Sequence, residues 1–298
     1  MNLSRLLCLG CLGLFFFTSL GAQNDRVQRT FKDTRAVNIH SVETLPTRKL
    51  DVRISHRFGD LLGDAGGWPT FYGLETATDV SIGAELGLSD RLTVGLYRSK
   101  GAGQTPDGDA GLRQLINVLG KYRLLYQTED NQTPLSASLV LTTSMSTQEK
   151  VEGVPSLIRS FPLFSHRFAF NAQLVLARKF SDEFSLELVP GVTHRNLVPF
   201  EGENTILSLG AAGHLQLTRV FALVADITLP FSSTLTNLNG YFPPVGIGFE
   251  FDTGGHVFQL SLTNATGIFE TDFIPYTISD WREGEFRLGF TISRWFNL

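Results

Sequence analysis

Cysteine is nearly absent from this 298-residue chain, and the two that occur, Cys8 and Cys11, lie within its first eleven positions. Once that stretch is processed away, disulfides and thiol chemistry drop out even in an oxidising compartment, and a metal would need histidines and carboxylates. Charge is sparse as well: 18% of residues are charged and the net is −4, which excludes a strongly basic nucleic-acid binder. No segment reaches the roughly 18 consecutive apolar residues of a spanning helix. Tryptophan and tyrosine are scarce, at 3 and 6, whereas phenylalanine is abundant at 24. A mean hydropathy of +0.04 does not separate a soluble chain from a membrane one, because a barrel strand turns one face to lipid and the other to the lumen. A membrane location would therefore belong to strands.

Residues 1–22 have the anatomy of a secretory signal: Arg5 gives a basic start, Leu6 to Phe17 an apolar core and Leu20-Gly21-Ala22 a small-residue cleavage site. They predict export. Cys11 follows Leu9-Gly10 as in a lipoprotein signal, but it precedes most of the apolar core, which argues against lipidation. Residues 23–47 are polar and lack a sustained period, with Arg26, Arg29, Lys32, Asp33 and Arg35 among them. A periplasmic extension, a plug entering the lumen and a partly disordered lead-in are all open for this segment.

From 48 to 298 the chain alternates apolar and polar residues in twelve stretches, at 48–58, 76–87, 92–99, 114–126, 134–143, 166–180, 183–194, 205–217, 220–230, 244–252, 255–263 and 285–297. The links between them run long, short, long, short from end to end. Turn-forming sequences such as Ser89-Asp90-Arg91 and Asp252-Thr253-Gly254-Gly255 make the short links. Long links cover 59–75, 100–113, 144–165, 195–204, 231–243 and 264–284. Outer-membrane barrels keep periplasmic turns short and external loops long. The pattern predicts an all-β, transmembrane, up-and-down antiparallel barrel of about twelve strands, with both termini on the short-turn side.

One parity suits lipid throughout. Leu50, Val52, Ile54 and Phe58 oppose Asp51, Arg53, Ser55 and Arg57, and later strands repeat the contrast. The polar parity supplies a candidate lumen wall: Arg53, Arg57, Asp79, Glu85, Lys121, Arg123, Glu187, His214, Asp226, Glu250 and Arg287. A twelve-stranded barrel is wider than the eight-stranded case that side chains just fill. Mixed charges could line a wet passage, the favoured expectation, or pair across the lumen and close it.

The final strand is the most regular, with Phe286, Leu288, Phe290, Ile292, Phe296 and Leu298 on one parity and Arg294 interrupting it. It resembles the C-terminal signal read by the barrel-assembly machinery, although Leu298, not Phe, comes last. Trp295 is expected at the periplasmic aromatic girdle. Further stretches resemble an uncharacterised Bacteroidota family of secreted outer-membrane-type β-barrel proteins: Val37-Asn38-Ile39-His40-Ser41-Val42-Glu43-Thr44, Ile54-Ser55-His56-Arg57-Phe58-Gly59-Asp60, Gly87 to Leu96, Gly254 to Leu260 with Thr263-Asn264, and Gly289-Phe290 with Ile292-Ser293-Arg294. The resemblance implies a barrel and an outer-membrane address, and it assigns no functional residues.

Motifs for other chemistry are weak. His40, His56, His166, His194, His214 and His256 are scattered without ligand spacing, so neither a metal nor a cofactor is expected. No G-x-S-x-G elbow occurs, and Ser55-His56 and Ser165-His166 are read as strand neighbours pointing to opposite faces, which disfavours an enzyme. Gly59, Gly63, Gly66 and Gly67 with Trp68-Pro69 fit a surface loop better than a phosphate cradle. The leading expectation is an outer-membrane channel for small polar solutes in a Gram-negative bacterium, with membrane lipid as a partner and no nucleic acid. The alternative is a non-conducting structural or partner-binding barrel whose loops at 59–75, 144–165 and 264–284 meet a partner. A soluble periplasmic β-protein holding an apolar ligand is the third reading, and the outward Phe and Leu parity weighs against it.

Overall fold

The computed structural model describes residues 26–154, 157–198 and 202–298, so the expected signal at 1–22 lies outside the described residues. Twelve strands follow one another as β1 (Lys49–Asp60), β2 (Ala77–Ser89), β3 (Leu92–Ser99), β4 (Leu115–Leu125), β5 (Ser136–Ser146), β6 (Phe168–Lys179), β7 (Phe184–Arg195), β8 (Thr205–Gln216), β9 (Phe221–Phe231), β10 (Val245–Asp252), β11 (His256–Thr263) and β12 (Arg287–Asn297). Each pairs antiparallel with its sequence neighbours, and β1 closes on β12 from Lys49↔Asn297 to Arg57↔Gly289. Closure leaves no strand edge unpaired, the condition for sheet in a lipid core, where water cannot satisfy backbone groups. Strand positions agree with the alternation pattern to within a few residues.

The two-residue side-chain period sorts the faces. In β1, Asp51, Arg53, Ser55 and Arg57 are buried while Ile54 is exposed. Ile82, Leu96, Leu141, Leu188, Leu207, Phe249 and Leu260 are likewise exposed, a band of apolar side chains around the outer wall.

Two segments fill the interior. From the short-turn end, the chain ahead of β1 runs in, reverses at Val37-Asn38 and returns, with an Arg35↔His40 bridge between its legs. From the opposite end, the link between β11 and β12 turns inward and forms α1 (Glu270–Tyr276), all seven residues of which are buried. Phe31, Val37, Ile39 and Val42 of the first segment and Phe269, Phe273 and Ile274 of the second share one apolar core with wall residues Leu119, Val140, Val175, Val189 and Val224. Burying such a side chain is worth about 1.5–3 kcal/mol. The inward parity thus carries packing residues among its charges.

Three sequence expectations change. The link at 264–284, read as an external loop available to a partner, is mostly enclosed, because its Phe269, Phe273, Ile274 and Tyr276 find apolar cover only inside the barrel. Trp295 shares the inward parity with Ser293 and sits at the short-turn mouth beneath the Arg29 guanidinium, 4.9 Å from the ring, not on the lipid girdle. Ser165 and His166 lie in a short 3-10 turn, Phe164–Arg167, ahead of β6, where His166 Nδ1 accepts from Leu163 N–H at 3.2 Å.

Candidate functional site

The site is the lumen wall together with the hairpin at 31–45 that occupies it. Within the hairpin, Ala36 N–H donates to Ile39 O at 2.9 Å and Ser41 N–H to Thr34 O at 3.0 Å. At the tip, Asp226 of β9 accepts from Asn38 N–H at 2.5 Å and from its side-chain amide at 2.6 Å. Asn38 Oδ1 in turn accepts from Arg57 at 2.8 Å and Thr263 at 3.1 Å. Gly246 makes room for this tip, since a Cβ there would stand 2.6 Å from Val37 Cγ1.

Along the two legs the wall charges take up backbone and side-chain groups. Arg53 grips the Asp33 carboxylate with two bonds, at 2.8 and 2.5 Å, and also donates to Thr34 Oγ1 and Asp51. Lys121 Nζ donates to Thr34 O at 2.7 Å and Ser41 O at 3.0 Å, tying one leg to the other. Glu187 accepts from Val42 N–H at 3.2 Å, and Arg123 donates to Glu43 at 3.1 Å. Gln259 bridges Ala36 O and Glu250, whose other oxygen lies 3.4 Å from His214 Nε2. Glu85 accepts from Tyr97 OH at 2.6 Å.

The remaining wall residues hold the inward link. Arg57 donates to Ala265 O and Gly267 O, Arg287 to Asn264 O and Ser279 Oγ. Asp79 accepts from Ile268 N–H at 2.9 Å and from Gly101 N–H, in the β3–β4 link, at 3.0 Å. All eleven sequence-named residues are at most 9% exposed and point into the barrel.

Hairpin and inward link meet at a buried seam. Arg35 donates to Glu270 at 2.8 Å, to Asn38 O and to Ile268 O. His40 Nε2 stands 3.7 Å from the same carboxylate, and neither ring nitrogen has a hydrogen-bond partner among the described residues. Burial, reinforced by Arg35, Lys121 and Arg53, holds the His40 imidazole well below its usual range, so it is neutral. Burial pushes the Glu270 carboxyl up, and Arg35 only partly offsets that. Asp33 goes the other way: burial would raise it, but the Arg53 guanidinium keeps it below the usual range.

Sequence reasoning did not single out Asp33, Arg35, Asn38, Glu43 or Glu270 as interacting residues. Their partners on the wall and the inward link lie 19 to 235 positions away, beyond any local pattern. One signal was present, because the Val37–Thr44 stretch, which carries Asn38 and Glu43, belongs to the family-like pattern.

The family described as "Membrane bound beta barrel domain (DUF5777)" matches residues 31–296, from within the hairpin to the penultimate residue of β12. The chain belongs to this family. Membership covers the hairpin as well as the barrel. Among solved structures, an outer membrane channel from Pseudomonas putida F1 is similar at TM-score 0.50 and 11% identity, over 86% of this chain and 98% of that one. The NanC porin matches at TM-score 0.47 and 9% identity, over 84% and 100%. Outer membrane phospholipase A from Escherichia coli matches at TM-score 0.40 and 11% identity, over 84% and 91%. At such identities the likeness concerns the fold. No curated protein matches the chain.

Proposed function

We propose that the protein is a channel of the outer membrane of a Gram-negative bacterium, in keeping with the Bacteroidota resemblance, and that the present conformation is its closed state. Residues 1–22 would direct export, β12 would be read by the barrel-assembly machinery, the outward apolar band would meet lipid, and no catalytic role is assigned. The observation that carries the reading is that the hairpin is held by a wall rich in ionisable groups, with Arg53, Lys121, Glu187 and Asp226 bound to its backbone and polar side chains. A core that stayed dry would be better served by apolar residues, because burying charges is costly unless they are paired. Charges that pair with a removable segment are stable in both states, bonded to the hairpin or hydrated after it leaves. Small polar solutes would then cross a passage walled by both signs of charge.

The test is planar-bilayer conductance of the full chain against a variant lacking residues 31–42. The full chain is expected to be silent or to open rarely, and the deletion to conduct steadily in proportion to salt. A deletion variant that inserts as a folded barrel and stays silent would overturn the reading in which the hairpin closes the channel. One observation favours the second reading, a non-conducting barrel: the hairpin and α1 also share an apolar core, which resists withdrawal.

A further inference from the structure

At the short-turn mouth, beside the incoming leg of the hairpin, lies a cavity of about 260 Å³ lined by four cationic side chains, Arg26, Arg29, Lys32 and Arg123, and two anionic ones, Glu43 and Asp90. Its lining is therefore net positive. Arg29 and Lys32 have a carboxylate outside the lining, Asp252, at 3.2 and 3.7 Å. Arg26 has no carboxylate within salt-bridge distance among the described residues. Its guanidinium lies 4.3 Å from the centre of the Tyr126 ring, which also takes Arg123 at 4.9 Å and Arg91 at 5.2 Å. Three cations thus crowd one ring, and one of them, Arg123, is bonded to a carboxylate, Glu43.

The arrangement is also incompletely satisfied. Arg123 is 3% exposed, and its Nε finds no hydrogen-bond partner among the described residues. A buried guanidinium donor left empty costs free energy that an oxygen acceptor would recover. Asp90 does not supply that acceptor: Arg123 Nε has no partner among the described residues, and Asp90 Oδ1 accepts instead from Thr47 N–H and Thr47 Oγ1 at the rim. The Tyr126 ring holds the guanidinium planes by cation–π contact, and Tyr126 OH is itself fixed on Asp90 O at 2.7 Å.

We propose that this cavity binds a small oxyanion, a phosphate or a carboxylate, between Arg26 and Arg123. The ligand competes with Glu43 for Arg123. Because Glu43 also accepts from Thr30 and Phe31 N–H, occupancy acts on the contact that holds the incoming leg. Which compartment presents the ligand rests on the channel reading, which makes it the periplasm; binding itself does not.

The experiment is titration calorimetry on the full chain in detergent at low ionic strength, with inorganic phosphate and, separately, succinate. Saturable binding at about 1 mM or tighter is expected from at least one of them, and the one that saturates assigns the oxyanion. Arg26→Gln, on a partly exposed side chain, is expected to weaken it about tenfold. Glu43→Gln removes the internal competitor while keeping the acceptor for Thr30 and Phe31, and is expected to tighten it. No saturable heat from either probe overturns the site, as does binding that neither variant changes while circular dichroism shows both folded. Conductance plays no part in these measurements, so the site and the channel reading fail separately.

Discussion

Asn38 uses both ends of its amide at once, donating to Asp226 and accepting from Arg57 and Thr263, so one short side chain at a hairpin tip joins three strands of the wall. Removing a partner from such a buried cluster leaves the others unsatisfied, at a cost of about 1–3 kcal/mol for each neutral group and more for charges. Asp226→Ala is therefore expected to destabilise the protein by roughly 3 kcal/mol or more, read as a lower urea midpoint in detergent, and to expose the hairpin to proteolysis. A loss within error would show that the tip contributes little. Gly246→Val makes a steric version of the same test, because the new side chain would occupy the space of Val37. It should free the hairpin while leaving every wall charge in place, with protease cleavage within residues 31–42 as the measurement. The eleven wall residues were legible in the sequence because parity alone assigns them to one face. Their partners were not, since a pattern of period two says nothing about what stands opposite across a lumen.

At the scale of elements, α1 is held by what surrounds it. With seven residues and Pro275 inside it, the helix is too short to be stable by itself. Phe273, fully buried in the shared core, supplies much of the missing stability. Phe273→Ala is expected to cost about 3–5 kcal/mol and to loosen the inward link, seen as faster hydrogen exchange across 264–284. Glu270 on the same helix gives a pH test. Its carboxyl is raised from the ordinary 4.5, chiefly by burial, so the folded state binds its proton more readily than the unfolded one. Stability from this group accordingly rises as pH falls from above the raised value toward 4.5, and is lost again on return to alkaline pH. Glu270→Gln, a permanent mimic of the protonated form, should be more stable than the parent at pH 8, with the difference closing near pH 4.5. A difference that widens on acidification would contradict the raised carboxyl. Asp33 acts with opposite sign: its contribution is complete above the ordinary 3.8 and is lost as pH falls through its depressed value.

For the whole molecule, the backbone ladder and the lumen filling are separate structures. All twelve strands find their hydrogen bonds in the closed sheet, so deleting residues 31–42 should preserve the β signal in far-ultraviolet circular dichroism. Thermal stability should still drop, because the deletion strips apolar cover from Val140, Val175, Val189 and Val224. A deletion variant without β signal would mean that the hairpin is needed for closure.

The sequence by itself determined the container. Strand number, pairing order, lipid and lumen faces and the alternation of long and short links all follow from local periodicity and turn chemistry, which act over a few residues. Only the tertiary structure decided the contents. The local reading left residues 23–47 open between an extension, a plug and a lead-in and took 264–284 as an external loop; 31–45 and most of 264–284 are inside because Arg53, Lys121, Asp226 and Asp79 offer bonds across the lumen and because Phe31, Ile39, Phe269 and Phe273 have nowhere else to be buried. Those bonds join positions up to 189 residues apart, and they exist only once the barrel has closed.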